Sequence, residues 1–464
     1  MKLKKWLVST LAVAMTLATA FSLAGCKGNV IPEDPIDLPD DPAFTNAAVH
    51  DPSVFYDVSS STYYAFGSHY AVASSRDLVN WEQRAADGQW QALYGNESVV
   101  ISGVTWPKAI EETVQLVRPN TSVNTTWAPD VEKIGSKYYM YYSLTGGFGS
   151  NSSAIGRVEA DSVMGPYSNN TIIVDSVDDS SSTKPNCIDP ELFYDKDGTL
   201  WMVYGSFFGG IYIKELTSDG LPVEDGYGNL LWAGDGQGVE GPFIFYDEDQ
   251  GYYYLMVSDG SLSTDYCMRV ARSENPDGPY EDITGQDMVY TDGGNKLAGN
   301  YNIANGGNNV ALGHNSVVER RGEWFVVCHV RNALNGGHHL ETRQLYFNKE
   351  GWPVLSPLRY AGESNGTATA DALTGSFDVV VHTAGVSQAI VNSVECSFSA
   401  DGTISGSLSG TWTLESDYYV TLELDGISYS GVVCGGWRTQ PEAKAVYCIT
   451  ATSADGNALW CVAR

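Results

Sequence analysis

The chain is expected to be all-β: a five-bladed β-propeller over residues 44–360, followed by a small β-barrel or sandwich domain over 361–464. Three observations predict this. First, one phrase recurs five times: a polar residue, a short apolar run, a turn, then an aromatic-rich apolar run. The copies open at Asp51, Asp130, Asp189, Glu240 and His314, with spacings of 79, 59, 51 and 74 residues (130−51, 189−130, 240−189, 314−240). Repeats of that length point to a solenoid or a propeller. Second, runs such as TYYAFGS, KYYMYYS, TLWMVYGS, YYYLMVS and EWFVVCHV are β-branched and aromatic and end in Gly, Asp, Asn and Ser turns, the pattern of strands rather than helices. Third, the composition breaks at 361–377 (GESNGTATADALTGSFD), which is rich in Gly, Ser and Thr and has no apolar run.

The elements follow in order. Residues 1–26 read as a targeting segment, with Lys2, Lys4 and Lys5 as a basic start and an apolar stretch from Trp6 to Leu23. The stretch is short for a membrane span and small residues precede its end. Its last residues, Leu-Ala-Gly-Cys, resemble a bacterial lipobox, which implies a lipid on Cys26 and an extracellular chain anchored to the membrane. Residues 27–43, rich in Pro and Asp, read as an extended, solvated tether. In the repeats, Asp197-Gly198 between two apolar runs signals a hairpin. Antiparallel strands repeated about an axis make propeller blades. Beyond the break, short strands and turns resume; Trp412, Trp437 and Trp460 read as core residues rather than sugar platforms.

At 464 residues the chain exceeds one core of ordinary size, consistent with two domains. Its charge is 26−56 = −30, and no long basic run follows the N-terminus. Nucleic acid and polyanionic substrates are excluded on that ground, because phosphate neutralisation needs clustered Lys and Arg. A neutral ligand such as a sugar fits better. Cys187, Cys267 and Cys328 read as small buried hydrophobes. Cys396, Cys434, Cys448 and Cys461 lie close enough in sequence for disulfides.

Placed around an axis, the polar heads of the repeats converge. Asp51 and Asp189 directly precede proline, and Glu240 precedes it by one glycine. A proline suits the start of a strand, so these carboxylates face the central funnel. One isolated Asp-Pro reads as turn chemistry; three at matching places in a five-fold repeat read as a site. Cleaving a glycosidic bond needs two carboxyl groups in opposite protonation states, and partial burial near one another separates their pKa values. Asp130 follows a proline and reads as structural.

The motifs HDPSVF (50–55), NCIDPELF (186–193), VEGPFIFY (239–246) and GHNSVV (313–318) resemble, in order and context, those of the family 43 glycoside hydrolases. WAPDV (127–131), SLTGGFGSNSSAIG (143–156) and YGSFFGGI (204–211) resemble its arabinan-degrading branch. The last hundred or so residues resemble, more weakly, the small β-barrel appended to larger arabinanases. The resemblance implies an inverting endo-hydrolase of α-1,5-linked arabinan, with Asp51 as general base, Glu240 as general acid and Asp189 orienting that acid and raising its pKa. His314 reads from its chemistry as an axial hydrogen-bonding residue; the resemblance implies that it binds a metal, usually calcium (Ca2+), with waters completing the shell. Trp127, Phe66 and Phe207 are candidates to stack on a furanose, and Asn186 and Ser206 to bond its hydroxyls. Arg331, His338, His339 and Arg343 fall in the last repeat, where the two histidines read as solvated loop residues. Two other readings stand: an exo-acting α-L-arabinofuranosidase or β-xylosidase, and a non-catalytic sugar-binding lipoprotein.

Overall fold

A computed structural model describes residues 31–464 apart from 182, 234–237, 292, 305–308 and 335. The targeting segment and Cys26 lie outside the described residues. Five sheets form blades I to V; each blade has four antiparallel strands in sequence order, and the sheet of blade V is extended to six strands by Tyr301–Asn302 and Val391–Asn392. Their innermost strands are Ser53–Asp57, Trp127–Ile134, Glu191–Tyr194, Glu240–Asp247 and Asn309–Arg320, and each neighbours the next until the fifth meets the first. Blade V is complete from consecutive strands, so no strand exchange closes the ring. Packing closes it instead. Fully buried Trp81 of blade I sits among Phe325, Leu340 and Tyr360, and its indole N–H donates to Thr342 Oγ1 at 3.1 Å. Removing an indole from such a place costs about 3–5 kcal/mol.

The inner strands share a four-residue entry: Asp51-Pro52-Ser53-Val54, Ala128-Pro129-Asp130-Val131, Asp189-Pro190-Glu191-Leu192, Gly241-Pro242-Phe243-Ile244 and His314-Asn315-Ser316-Val317. Hydrogen bonds between blades fix this alignment. In three of the five blades the N–H of the fourth residue bonds the third-position side chain of the preceding blade: Val54 to Ser316 Oγ at 2.9 Å, Leu192 to Asp130 Oδ2 at 2.9 Å and Ile244 to Glu191 Oε2 at 3.1 Å. First-position N–H groups do the same one level higher: Ala128 to Ser68 Oγ at 2.9 Å, Asp189 to Ser143 Oγ at 2.9 Å and Gly241 to Asp189 Oδ2 at 3.2 Å. Buried N–H groups need such partners, and here the partners also lock blade to blade.

This alignment corrects the sequence picture of five heads in one shared slot. Asp51, Asp189 and His314 hold the first position. Asp130 holds the third, two residues along, where it bonds Ser53 and Leu192. Glu240 stands one residue ahead of Gly241.

The uneven spacings come from excursions. The 79-residue gap holds a hairpin, Ser98–Ile101 with Val104–Pro107, and a short helix, Glu111–Val117, that the sequence reading did not foresee. The C-terminal domain is a closed eight-stranded barrel sealed by pairing of Gly375–His382 with Ala458–Ala463. Trp412 and Trp460 are buried in its core. All four of its cysteines are buried and free; Cys434 and Cys448 sit opposite each other in the sheet without a disulfide. The acidic stretch before the propeller is no free tether in its described part. Ile36 and Leu38 alternate onto the barrel at Gly435, and the Ile36 N–H donates to Thr367 O at 2.9 Å.

Candidate active site

The first positions of the inner strands open into a cleft of about 730 Å3, a size suited to several sugar rings. Asp51, Asp189, Glu240 and His314 line it, together with Trp127, Asn186, Ser206 and Phe207. None of the third-position side chains does. Asp51 and Asp189 take left-handed φ values of 51° and 57°, and Gly241 takes 56°. Non-glycine residues in that region are strained, and such strain gathers at functional sites. In blade IV the glycine relieves it. A side chain there would also strike the His314 ring, whose atoms stand 2.8 Å from the position of a Cβ. Gly313 answers a similar demand, since a Cβ would lie 2.6 Å from the Tyr266 ring.

The carboxyl groups occupy different surroundings. Asp51 Oδ2 accepts the Ser68 hydroxyl at 2.6 Å and lies 2.7 Å from His50 Nδ1. Arg331 Nη2 stands 2.6 Å from His50 Nε2. Arginine can only donate, so the His50 proton faces Asp51. His314 and His329 Nδ1 lie 3.7 and 3.8 Å from Asp51 Oδ1. Burial alone would raise the Asp51 pKa; His50, His314 and His329 outweigh it and hold the group well below the usual carboxylate range.

Glu240 goes the other way. Burial first, then the Asp51 charge, pushes its pKa up to about 7, against the donation from Tyr266 and Ser206. Those hydroxyls bond Oε1 at 2.8 Å and Oε2 at 2.9 Å. Asp189, 5 % exposed, is raised well above its ordinary value by burial and by the Glu240 and Asp51 charges. Its Oδ2 holds the Gly241 N–H, and through it the backbone beside Glu240. A low-pKa carboxylate and a high-pKa carboxyl in one cleft are the pair that acid–base chemistry requires.

Behind Asp51 the His50 and His329 rings stack with centroids 4.2 Å apart, and Tyr266 lies parallel to His329 at 5.9 Å. Burial, then His50, pushes His329 well below its usual pKa. Five of the seven histidines, 50, 69, 314, 329 and 338, surround this side of the cleft. His338 lies on the strand His338–Phe347 rather than in a solvated loop, because the third strand of blade V runs up to the cleft. His339 pairs with Glu341 at 3.1 Å.

Trp127 and Phe207 are accompanied at the cleft by Phe148 and Phe208, 84 % and 43 % exposed; Phe148 meets Trp127 edge-on at 6.3 Å. Asn186 Oδ1 accepts the Ser153 hydroxyl at 2.7 Å. Phe66 is a correction. It is fully buried among Tyr70, Val72 and Leu93, because its place on the second strand of blade I turns it toward blade II and away from the axis. His50, Tyr266 and His329 were not singled out from sequence. His50 had a signal, standing directly before Asp51-Pro52; Tyr266 and His329 reach the site only through the fold.

Residues 102–353 match the model of glycosyl hydrolases family 43. The chain belongs to that family. Residues 357–461 match a C-terminal lipocalin-like domain, GH43_C, so both parts of this glycoside hydrolase have known counterparts. The chain is 35 % identical over 90 % of its length, and 93 % of the other protein, to extracellular endo-alpha-(1->5)-L-arabinanase 2 of Bacillus subtilis. It is likewise 35 % identical to the extracellular endo-alpha-(1->5)-L-arabinanase of Thermotoga petrophila, over 90 % of this chain and 94 % of that one. The crystal structure of the endo-1,5-alpha-L-arabinanase from Thermotoga petrophila RKU-1 superposes with a TM-score of 0.84, covering 91 % of this chain and all of the other.

Proposed function

We propose that this glycoside hydrolase is an extracellular endo-arabinanase that cleaves α-1,5-linked arabinan with inversion. The observation that carries the reading is the opposite pKa displacement of Asp51 and Glu240 in one aromatic-rimmed cleft. Relatives of nearly full-length similarity bear the name of that activity. Asp51, held ionised, takes a proton from water. The water oxygen bonds the anomeric carbon as the glycosidic C–O bond breaks, and Glu240 gives its proton to the leaving oxygen. Asp189 holds the chain at Gly241 and so positions Glu240. Trp127, Phe207, Asn186 and Ser206 line the path of the sugars, with Phe148 and Phe208 extending the aromatic rim.

Calcium belongs to the same reading. His314 fits a ligand role: burial lowers its pKa, favouring the neutral form, it lines the cleft, and its Nδ1 stands 3.7 Å from Asp51 Oδ1, beyond hydrogen-bonding distance. It would hold the ion with Asp51 alongside and water supplying the remaining oxygens that calcium prefers. The ion would supply positive charge that favours ionised Asp51. Exhaustive chelation should lower activity and melting temperature together; no change in either would remove calcium from the account. Lipid anchoring at Cys26 is tested by the membrane fraction, from which Cys26→Ser should release the protein.

Digestion of linear, debranched arabinan tests the central reading. A mixture of oligosaccharides with newly formed β-anomeric ends is expected. Arabinose alone would establish an exo enzyme, and no product would leave a binding protein.

A further inference from the structure

Every described residue at the cleft belongs to the propeller except Val386. It lies in the connection between Gly375–His382 and Val391–Asn392 of the C-terminal part. This connection is held from several sides. Val391–Asn392 pairs in parallel with Tyr301–Asn302, so the second domain adds a strand to the sheet of blade V. The Val391 N–H donates to Asn300 O at 3.1 Å, and the Ala384 N–H to Asn457 Oδ1 at 2.9 Å. Asn300, 2 % exposed, receives the Ala311 N–H on Oδ1 at 2.9 Å. Its amide donates to Thr264 O at 2.6 Å and faces Ser387 O at 3.5 Å and Gln388 O at 3.4 Å. One buried side chain thus ties the blade IV cleft loop to the barrel connection. Val386 itself packs on Gly260, where a Cβ would lie 3.0 Å from its Cγ1.

Position then gives this contact a meaning. In a five-fold ring, blade II faces the junction of blades IV and V. Trp127 and Phe148 stand on blade II; Gly260, Ser261, Leu262 and Val386 stand at that junction. A sugar chain laid across the funnel from the aromatic rim runs toward Val386.

We propose that Val386 contacts the substrate, so that the C-terminal domain builds one end of the arabinan groove and sets how chain extending that way is held. The proposal rests on the arabinanase reading above. Val386 offers a branched apolar face, suited to the apolar side of a furanose, on a connection anchored by Asn300. A chain of two sugars fills the positions beside the carboxylates and is not expected to depend on it; a polymer is.

The test uses the full chain with Val386→Trp and Val386→Ser, comparing kcat/KM on linear arabinan and on arabinobiose. Val386→Trp should lower the polymer value about tenfold and shift products toward shorter oligosaccharides, with the disaccharide value within about twofold. Val386→Ser, which removes the apolar face without adding bulk, should lower the polymer value by roughly threefold and decides the matter if the Trp variant melts early. Wild-type polymer kinetics and products in the folded variants would overturn the proposal. So would equal losses on both substrates, which would mean the effect passes through the carboxylates. A wild-type chain inactive on arabinan would instead overturn the activity on which the proposal stands.

Discussion

Two layers of carboxylates circle the same axis, two residues apart along the inner strands. The upper layer holds Asp51 and Asp189, with Glu240 beside Gly241; the lower holds Asp130 and Glu191. Asp130, Glu191 and Asp189 are buried while Asp51 and Glu240 are half-buried, yet both layers shift pKa values: Asp130 is pushed up to about 6, and Glu191 well above its ordinary value, by burial above all. The difference lies in what the oxygens face. Those of the lower layer accept the N–H groups of Leu192 and Ile244 and stitch blade to blade. In the upper layer hydroxyls and imidazoles surround the oxygens of Asp51 and Glu240, Asp189 alone holds a backbone N–H of the next blade, and all three groups open to the cleft. A displaced pKa alone therefore does not mark a catalytic group here; access to the cleft does.

The largest expected contrast is between Asp51 and Asp130. Asp51→Ala should lower kcat/KM on arabinan by roughly a hundred- to ten-thousand-fold, the usual contribution of a general base, with melting temperature nearly unchanged. Asp130→Ala strands the Leu192 N–H and should cost about 1–3 kcal/mol of stability, read by denaturant unfolding, while the folded fraction keeps its activity. Loss of activity without loss of stability in Asp130→Ala would dissolve the distinction between the layers.

A smaller effect sharpens it through pH. Glu240, raised to about 7, is protonated below that pH and loses its proton above it, so activity should fall on the alkaline side near pH 7. Asp51, held below the usual range, stays ionised in mild acid, so the acid limb should lie below the ordinary titration range of a carboxylate. The Tyr266 hydroxyl favours ionised Glu240; Tyr266→Phe should therefore move the alkaline limb upward, by roughly one unit. A downward move would reverse the assignment of acid and base. The smallest effect belongs to the rim. Phe148→Ala should raise KM for arabinan about two- to tenfold, the worth of one aromatic contact, and leave the pH profile alone.

The propeller was legible because each blade must repeat the same turn and apolar runs. The site was legible where chemistry sits next to proline, at Asp51, Asp189 and Glu240. The structural role of Asp130 was legible from its place after a proline, but its register was not, because a polar residue before an apolar run looks the same at either position. Only the bonds between blades show that Ala128, not Asp130, occupies the place of Asp51. Phe66 misled for a related reason: an aromatic near a motif carries no sign of which way its strand turns it. Tyr266 and His329 come from second strands and loops and acquire their role from the ring's closure, which no local pattern records. The packing of Ile36 and Leu38 on the barrel escaped because the acidic residues around them dominate the composition.

The most direct test compares one glutamate from each layer. Glu240→Gln and Glu191→Gln change the same atom in the same residue type a blade apart. With kcat/KM on arabinan measured per folded molecule, Glu240→Gln is expected to lose at least about a hundredfold at an unchanged melting temperature, and Glu191→Gln to keep its activity with a lowered melting temperature. Comparable activity losses in both, or a nearly active Glu240→Gln, would contradict the assignment of chemistry to the layer that meets the cleft.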